Sequence, residues 1–339
     1  MLMLVGDLHL DTAKPFSTIL PNGINSRLFD QLEVVKKVGA KIQELKPSAV
    51  IFLGDLFEGY GASLPKIIYN AGFLTANLWS QNTELYIIVG NHDLYRGMHV
   101  FSSFESLPNV RIISQSTRVH IDNYDVDLIP WGSSLLSDKG DICAGHVPII
   151  GAWVDADKTH QADVGIFPTD LLGYKYVFLG HFHEPQTIPV PGAIIAEYIG
   201  SIMQTDLRRA GNTFKGVVTL EDSRYERSPI SSPSIYREIL ATEDQLEVLL
   251  ARCKDSQDYY KVTITSPSLH VPKEALNHKI IYEYSLQPTT GNGYKADSED
   301  TIEHDPTSKL QEEVKRFIEE ANTVLPKDKI KEFALEALE

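Results

Sequence analysis

The chain has little cysteine: Cys143 and Cys253 are the only two in 339 residues. Two thiols without paired spacing exclude a disulfide framework and a thiolate zinc site, so each is expected to be a buried, reduced side chain. Long apolar runs are also missing. Residues 1–5 are apolar, but Asp7 ends the stretch before it reaches the length of a signal-peptide core, and no later segment reaches spanning length. The expectation is a soluble cytoplasmic protein with no membrane association. Basic charge is short as well, with 31 Lys and Arg against 46 Asp and Glu, a formal net charge of -15. Phosphate backbones are held mainly by Lys and Arg through counterion release, so such a chain needs bound cations or a basic partner before it can hold nucleic acid. Lys14, Arg27 and the Arg208-Arg209 pair are candidate basic contacts, scattered rather than clustered. No internal repeat is present.

What the chain does have is enough apolar content, 42%, for one sizeable core and a smaller satellite. Over residues 1–230, short β-branched runs alternate with amphipathic stretches, the mark of a layered α/β domain. Leu28, Leu32, Val35, Val38, Ile42 and Leu45 recur at helical spacing, with Asn25 or Ser26 as cap and Pro47 as stop. A second helix is predicted over 64–81 and a buried strand over 85–89. From 186 to 220 the pattern reads as antiparallel strands joined by turns at Pro191-Gly192 and Ala210-Gly211-Asn212. A strand-helix-strand-helix-strand pattern over 235–287 predicts a small α+β domain, with strands over 235–240, 259–265 and 278–286 and helices over 242–253 and 272–277. Residues 288–307 read as an acidic linker, and 308–339 as a helical pair divided by Pro326 whose apolar faces need a partner or a fold back onto the chain.

Five times an apolar run ends in Gly followed at once by a side chain that can bind metal: Gly6-Asp7, Gly54-Asp55, Gly90-Asn91, Gly145-His146 and Gly180-His181. Glycine lets a chain turn sharply off a strand end, so the repetition implies strands ending on one rim of a sheet with polar side chains aimed at a common point. His9 and His183 join the set by alternation, because residues two apart in extended chain point the same way. Asp7, His9, Asp55, Asn91, His146, His181 and His183 exceed what one octahedral ion with open positions can use. Two ions sharing a carboxylate are implied. Mixed imidazole and oxygen donors suit manganese first, then iron or zinc, with magnesium less favoured. The other histidines outside this set, His92 apart, and Asp11 and Asp141 carry a structural expectation; Glu58 and Asp93 are expected to support the ligands from behind.

The series Gly-Asp-Leu-His-Leu, Gly-Asp-Leu-Phe-Glu-Gly, Gly-Asn-His-Asp, Gly-His and Gly-His-Phe-His resembles the calcineurin-like metallophosphoesterases over residues 1–220. The resemblance implies a four-layer α/β sandwich of two mixed sheets flanked by helices. It assigns one ion to Asp7, His9 and His183, the other to Asn91, His146 and His181, the bridge to Asp55, and the catalytic role to His92. Tyr198-Ile199-Gly200-Ser201 followed by Lys215-Gly216-Val217-Val218 is similar to the SbcD-type recombination nucleases, as Leu128-Ile129-Pro130-Trp131 is to their phage-encoded members. That narrower resemblance implies a DNA-capping domain at 235–287, a helical segment docking on the coiled coil of an SbcC-type ABC ATPase, and a homodimer. It implies duplex exonuclease and single-strand endonuclease action, with two cations acidifying a shared water. Many members carry His or Asp where this chain has Glu58, at a position that would hydrogen-bond the catalytic histidine. A small-molecule phosphodiesterase, a protein phosphatase and a non-catalytic scaffold are the competing readings.

Overall fold

The computed structural model describes residues 1–286 apart from 13–16, 60–64, 156–157, 206–213, 267–279 and several positions between 243 and 257. The linker at 288–307, the helical pair at 308–339, Lys14, the Arg208-Arg209 pair, the turn at 210–212 and the helix expected at 272–277 lie outside the described residues. Contacts gather Met1–Pro288 into one unit.

In chain order the strands are β1 (Leu2–Val5), β2 (Ala49–Phe52), β3 (Glu84–Ile88), β4 (Leu94–Tyr95), β5 (Met98–His99), β6 (Val110–Ile113), β7 (Thr117–Ile121), β8 (Tyr124–Ile129), β9 (Ile142–His146), β10 (Tyr176–Gly180), β11 (Gln186–Thr187), β12 (Ile195–Tyr198), β13 (Gly216–Glu221) and β14 (Arg224–Pro229). Two six-stranded sheets result, ordered β14-β13-β1-β2-β3-β6 and β11-β12-β10-β9-β8-β7, while β4 and β5 make a small ribbon. Each large sheet has four parallel strands with antiparallel additions at its margins. The 186–220 stretch is therefore not one antiparallel run. β11 and β12 pair as a hairpin, but β12 lies parallel to β10, and β13 crosses to the other sheet beside β1.

Strand composition explains the layering. Consecutive side chains of β1 point to opposite faces, and all four are buried, as expected of a strand covered on both sides. Met3 and Val5 pack with Val50 and Phe52 against Leu28, Val35, Val38 and Ile42 of helix α1 (Ser26–Leu45) and Ile68 and Trp79 of helix α2 (Lys66–Trp79). Leu2 and Leu4 face the second sheet, meeting Val126, Leu128, Ala144 and Phe178 in a shared core. The outer face of the second sheet is covered by chain from Val147 to Tyr174, including Ile149 and Leu171. Helix α1 starts where its sequence says it should: the Asn25 side chain accepts from the amides of Arg27 and Leu28, and Lys46 ends it in a left-handed turn. Both cysteines are buried, and burial pushes the Cys143 thiol up to about 12.

A third sheet of three parallel strands, β15 (Tyr236–Thr242), β16 (Tyr259–Ser266) and β17 (Ile280–Leu286), follows the expected order. Residues 248, 249, 251 and 253 are helical, within the helix expected between the first two strands. Ala241, Cys253, Tyr260, Val262 and Ile264 make its small core. It is fastened to α1 through Asp30, whose carboxylate accepts from Ser234 Oγ and from Tyr259 OH, the latter at 3.1 Å.

Asp127, buried in β8, accepts from Arg118 Nε at 2.6 Å and Nη2 at 3.1 Å, Tyr174 OH at 2.8 Å and the Gly140 amide at 3.1 Å. Burial alone would raise its pKa; these donors hold it below the usual carboxylate value. A depressed carboxylate stabilises the fold above its ordinary pKa of 3.8 and loses that contribution as pH falls through its lowered one. Asp127→Asn is therefore predicted to lower the melting temperature by several degrees at pH 7, and the gap from wild type should narrow in melts run progressively below pH 3.8.

Candidate metal centre

The parallel strands deliver the candidate ligands at their C-terminal ends, but from two sheets rather than one. Asp7, Asp55 and Asn91 follow β1, β2 and β3 of the first sheet; His146 ends β9 and His181 follows β10 of the second. The two rims meet edge to edge. His146 Nδ1 donates to the Leu53 carbonyl at 2.7 Å, and the His181 amide donates to Asp7 Oδ1 at 3.0 Å.

The glycines at these junctions act differently from the sequence expectation. Of the five, only Gly54 has positive φ, at +106°. The left-handed conformation falls instead on the ligands themselves, with φ of 52° at His9, 55° at Asp55 and 96° at His181. Non-glycine residues held there cost about 1–3 kcal/mol each and concentrate at functional sites. Gly90 is required for space: a Cβ there would lie 2.1 Å from Asp55 Oδ1 and 2.4 Å from the Asp55 amide nitrogen.

Among the described residues, three sets of side chains come close enough to hold an ion: Asp7, His9 and His183; Asp55, His146 and His181; and His9, Glu58 and His92. Asn91 belongs with the second, its Oδ1 lying 3.0 Å from both His146 Nε2 and His181 Nδ1. Asp55 stands between the first two sets, with Oδ2 3.2 Å from His146 Nε2 and 3.6 Å from His9 Nε2. All seven ligands expected from sequence are thus brought together. Trp131 lies beside the second set, its ring 4.9 Å from that of His181.

Charge and hydrogen bonding test whether divalent ions fit. Asp7 and Asp55 are buried together, and burial pushes Asp7 up, aided by Asp55 and opposed by His146. Burial would drive His146 down, yet Asp55 and Asp7 hold it up at about 9, so a proton on His146 partly balances the carboxylates. His181, desolvated beside that charge, falls to about 3. With Nδ1–H given to a carbonyl that can only accept, the other nitrogen of neutral His146 points toward Asn91 and Asp55, as a metal-binding imidazole requires. His9 Nε2 is buried and takes no hydrogen bond among the described residues. Orphaned nitrogen, paired buried carboxylates and a thiolate-free donor set fit two divalent cations.

The supporting residues have defined contacts. Asp93, fully buried, accepts from the amides of Asp55 at 2.9 Å, Gly90 and Leu56 at 3.0 Å and Phe57 at 3.3 Å, tying the Asp55 loop to the Asn91 loop. Burial and the Asp55 carboxylate push Asp93 up to about 7, although the amides favour its ionised form. Glu58 serves two histidines through different atoms. Its carboxylate lies 2.5 Å from His9 Nδ1, and its main-chain carbonyl accepts from His92 Nδ1 at 2.9 Å. A side-chain bond from Glu58 to His92 is thus replaced by a backbone one, which any residue at 58 could supply. The Asp11 amide donates to Gln31 Oε1 at 3.0 Å, and Asp141 pairs with Lys175 away from the ligands.

Sequence reasoning missed Gln31 and Thr205. Gln31 Nε2 donates to the His9 carbonyl at 2.6 Å, and Thr205 Oγ1 lies 2.7 Å from His183 Nδ1. Gln31 had a legible signal, since a polar side chain sits beside Leu28 and Val35 on the buried side of α1. Thr205 had none.

The family model for calcineurin-like phosphoesterases matches residues 2–185, more than half of the chain. The chain belongs to the calcineurin-like phosphoesterase family. Members of this phosphoesterase family use divalent metals, in keeping with the ligand sets above. The chain is also 31% identical over 163 residues to a protein of Enterobacteria phage T4 named exonuclease subunit 1, a match covering 44% of this chain and 45% of that one. It therefore spans just under half the length of this curated relative.

Gly90→Ala is predicted to keep a wild-type far-UV spectrum while lowering divalent-ion affinity at least tenfold, as measured by calorimetric titration, because the new methyl must push Asp55 out of its shared position.

Proposed function

We propose that this phosphoesterase is the nuclease subunit of a DNA-processing complex, hydrolysing phosphodiesters with two divalent ions, manganese foremost. One observation carries the reading: Asp55 lies between two ligand sets and at the same time accepts the His92 amide at 2.9 Å, tying a titratable ring to the shared carboxylate. In this reading Asp7, His9 and His183 hold one ion, Asn91, His146 and His181 the other, and Asp55 both. The ions would supply charge that clamps phosphate oxygens and acidifies water.

The chain's own part is to orient and to move a proton. Because the Glu58 carbonyl can only accept, the His92 ring carries its proton on Nδ1, and Nε2 is the atom through which it can exchange a proton with a leaving oxygen. Edge-to-face packing on His9, with centroids 4.9 Å apart, fixes the ring plane.

The choice of DNA rests on the named phage relative and on the small parallel sheet fastened to α1. On this reading, residues 1–230 form the catalytic domain, 235–287 the cap over DNA, 288–307 the connection to 308–339, and 308–339 the segment that docks on an SbcC-type ABC ATPase, with two copies of the chain in the complex. The net charge of -15 is then offset by the bound ions and by the partner. No helix among the described residues is long and apolar enough to cross a membrane.

The test is incubation with manganese and end-labelled DNA, duplex and single-stranded, alongside a chromogenic monoester and a cyclic nucleotide. Cleavage of DNA well above the small esters is expected, and turnover of the small esters alone would overturn the reading. His92→Ala should lower the DNA rate by about 10²–10⁴-fold with bound metal unchanged.

A further inference from the structure

The paired motifs around Tyr198–Ser201 and Lys215–Val218 have no role in the chemistry above, yet they meet beneath it. Lys215 is mostly buried, with 12% of its side chain exposed. Its ammonium donates to the His183 carbonyl at 2.8 Å and to Ser201 Oγ at 3.0 Å, and lies 3.4 Å from Glu184 Oε1. Lysine is seldom buried unless its charge and donors are matched, and these three acceptors match them.

Each acceptor belongs to chain that holds the Asp7, His9 and His183 set. His183 is itself a ligand. Ser201 begins a short strap that returns to the same set at three further points: its own amide donates to the His183 carbonyl at 3.0 Å, the Ile202 amide to the Asp7 carbonyl at 3.1 Å, and Thr205 Oγ1 lies 2.7 Å from His183 Nδ1. One ammonium thus fixes the main chain of one ligand and the strap that positions another. The second set touches this chain only where the His181 amide donates to the Asp7 carboxylate, at 3.0 Å; its other contacts lie elsewhere, His146 on the Leu53 carbonyl and on Asn91, and Asn91 on His146 and His181.

We propose that Lys215 is a positioning residue selective for one of the two ions, the one held by Asp7, His9 and His183. The proposal rests on the two-ion reading of the site but needs no assumption about the substrate. Removal of residues that orient metal ligands typically costs 10–100-fold in metal affinity.

The experiment is calorimetric titration of the full chain with manganese, with bound metal counted by plasma mass spectrometry, for wild type, Lys215→Met, Lys215→Arg and Ser201→Ala. Wild type should bind two ions. Lys215→Met should keep one near wild-type affinity and bind the other about 10–100-fold more weakly. The retained ion should vanish when His146→Ala is added, and Lys215→Arg, which restores charge and donors, should recover most of the loss. Should Lys215→Met not fold, Ser201→Ala, which removes one of the three acceptors together with the Ser201 hydroxyl's own bond to the Met203 carbonyl, must weaken the same ion by a smaller factor. Wild-type binding of both ions by Lys215→Met, equal weakening of both, or no recovery in Lys215→Arg would overturn the proposal. A wild type that binds fewer than two ions would instead overturn the two-ion reading on which it stands.

Discussion

Everything in this site converges on one carboxylate. Asp55 Oδ2 lies 3.6 Å from His9 Nε2 and 3.2 Å from His146 Nε2, while Oδ1 accepts the His92 amide. Two ligand sets and the candidate proton donor are thereby referred to a single side chain. If that side chain moves, the sets separate together.

Holding it there is costly. Asp55 has a left-handed backbone, and its side chain is buried close to Asp7. Asp93 offsets part of that cost. Backbone bonds to an ionised group contribute about 1.5–3 kcal/mol each, comparable with the roughly 1–3 kcal/mol of a left-handed non-glycine residue. Four such amides, from Asp55, Leu56, Phe57 and Gly90, reach Asp93, but burial and the Asp55 carboxylate, which push Asp93 up to about 7, work against them. The remaining cost is electrostatic and falls when cations balance the carboxylates. In the metal-free site a proton on His146 serves that purpose, and ions must displace it to use the imidazole.

Much of this was legible in the chain. The five glycine-ligand junctions locate the strand ends, and the spacing of two in Asp7-Leu8-His9 and His181-Phe182-His183 picks out His9 and His183, although positive φ at His9 and His181 means that the chain there is not the extended strand that the spacing assumes. The helical face through Leu28, Val35 and Val38 predicts α1 almost to the residue. What the residues could not convey is contact across distance. The two sheets follow from the family resemblance, but the residue pattern does not sort the junctions between them, because each strand reads alike and only pairing partners distinguish them. Nor can it distinguish a glycine needed for its φ from Gly90, needed because Asp55 occupies the space a side chain would fill. Thr205 and Lys215 act on His183 from 22 and 32 positions away, through a hydroxyl and a carbonyl that leave no local pattern, and Gln31 shows only as a polar residue on the buried face of α1, without the His9 carbonyl it meets. Glu58 is intermediate: its departure from the family pattern is visible, but its two contacts follow only from the loop's course.

The same strap that serves His183 also reaches the small sheet. Gln204 accepts the Tyr236 amide at 2.8 Å and donates to the Tyr236 carbonyl, while the Arg27 guanidinium donates to the Gln204 carbonyl and stacks over the Tyr236 ring at 5.0 Å. The sheet and the ligand set thus share one short piece of main chain, so the metal centre and the element beside it are mechanically continuous.

The shared carboxylate is tested most directly by electron paramagnetic resonance of the protein loaded with manganese. Two ions that both used Asp55, as proposed, would be exchange-coupled, so a dinuclear spectrum is expected that reverts to isolated-ion lines in Asp55→Ala. Isolated-ion lines in the fully loaded wild type would contradict it.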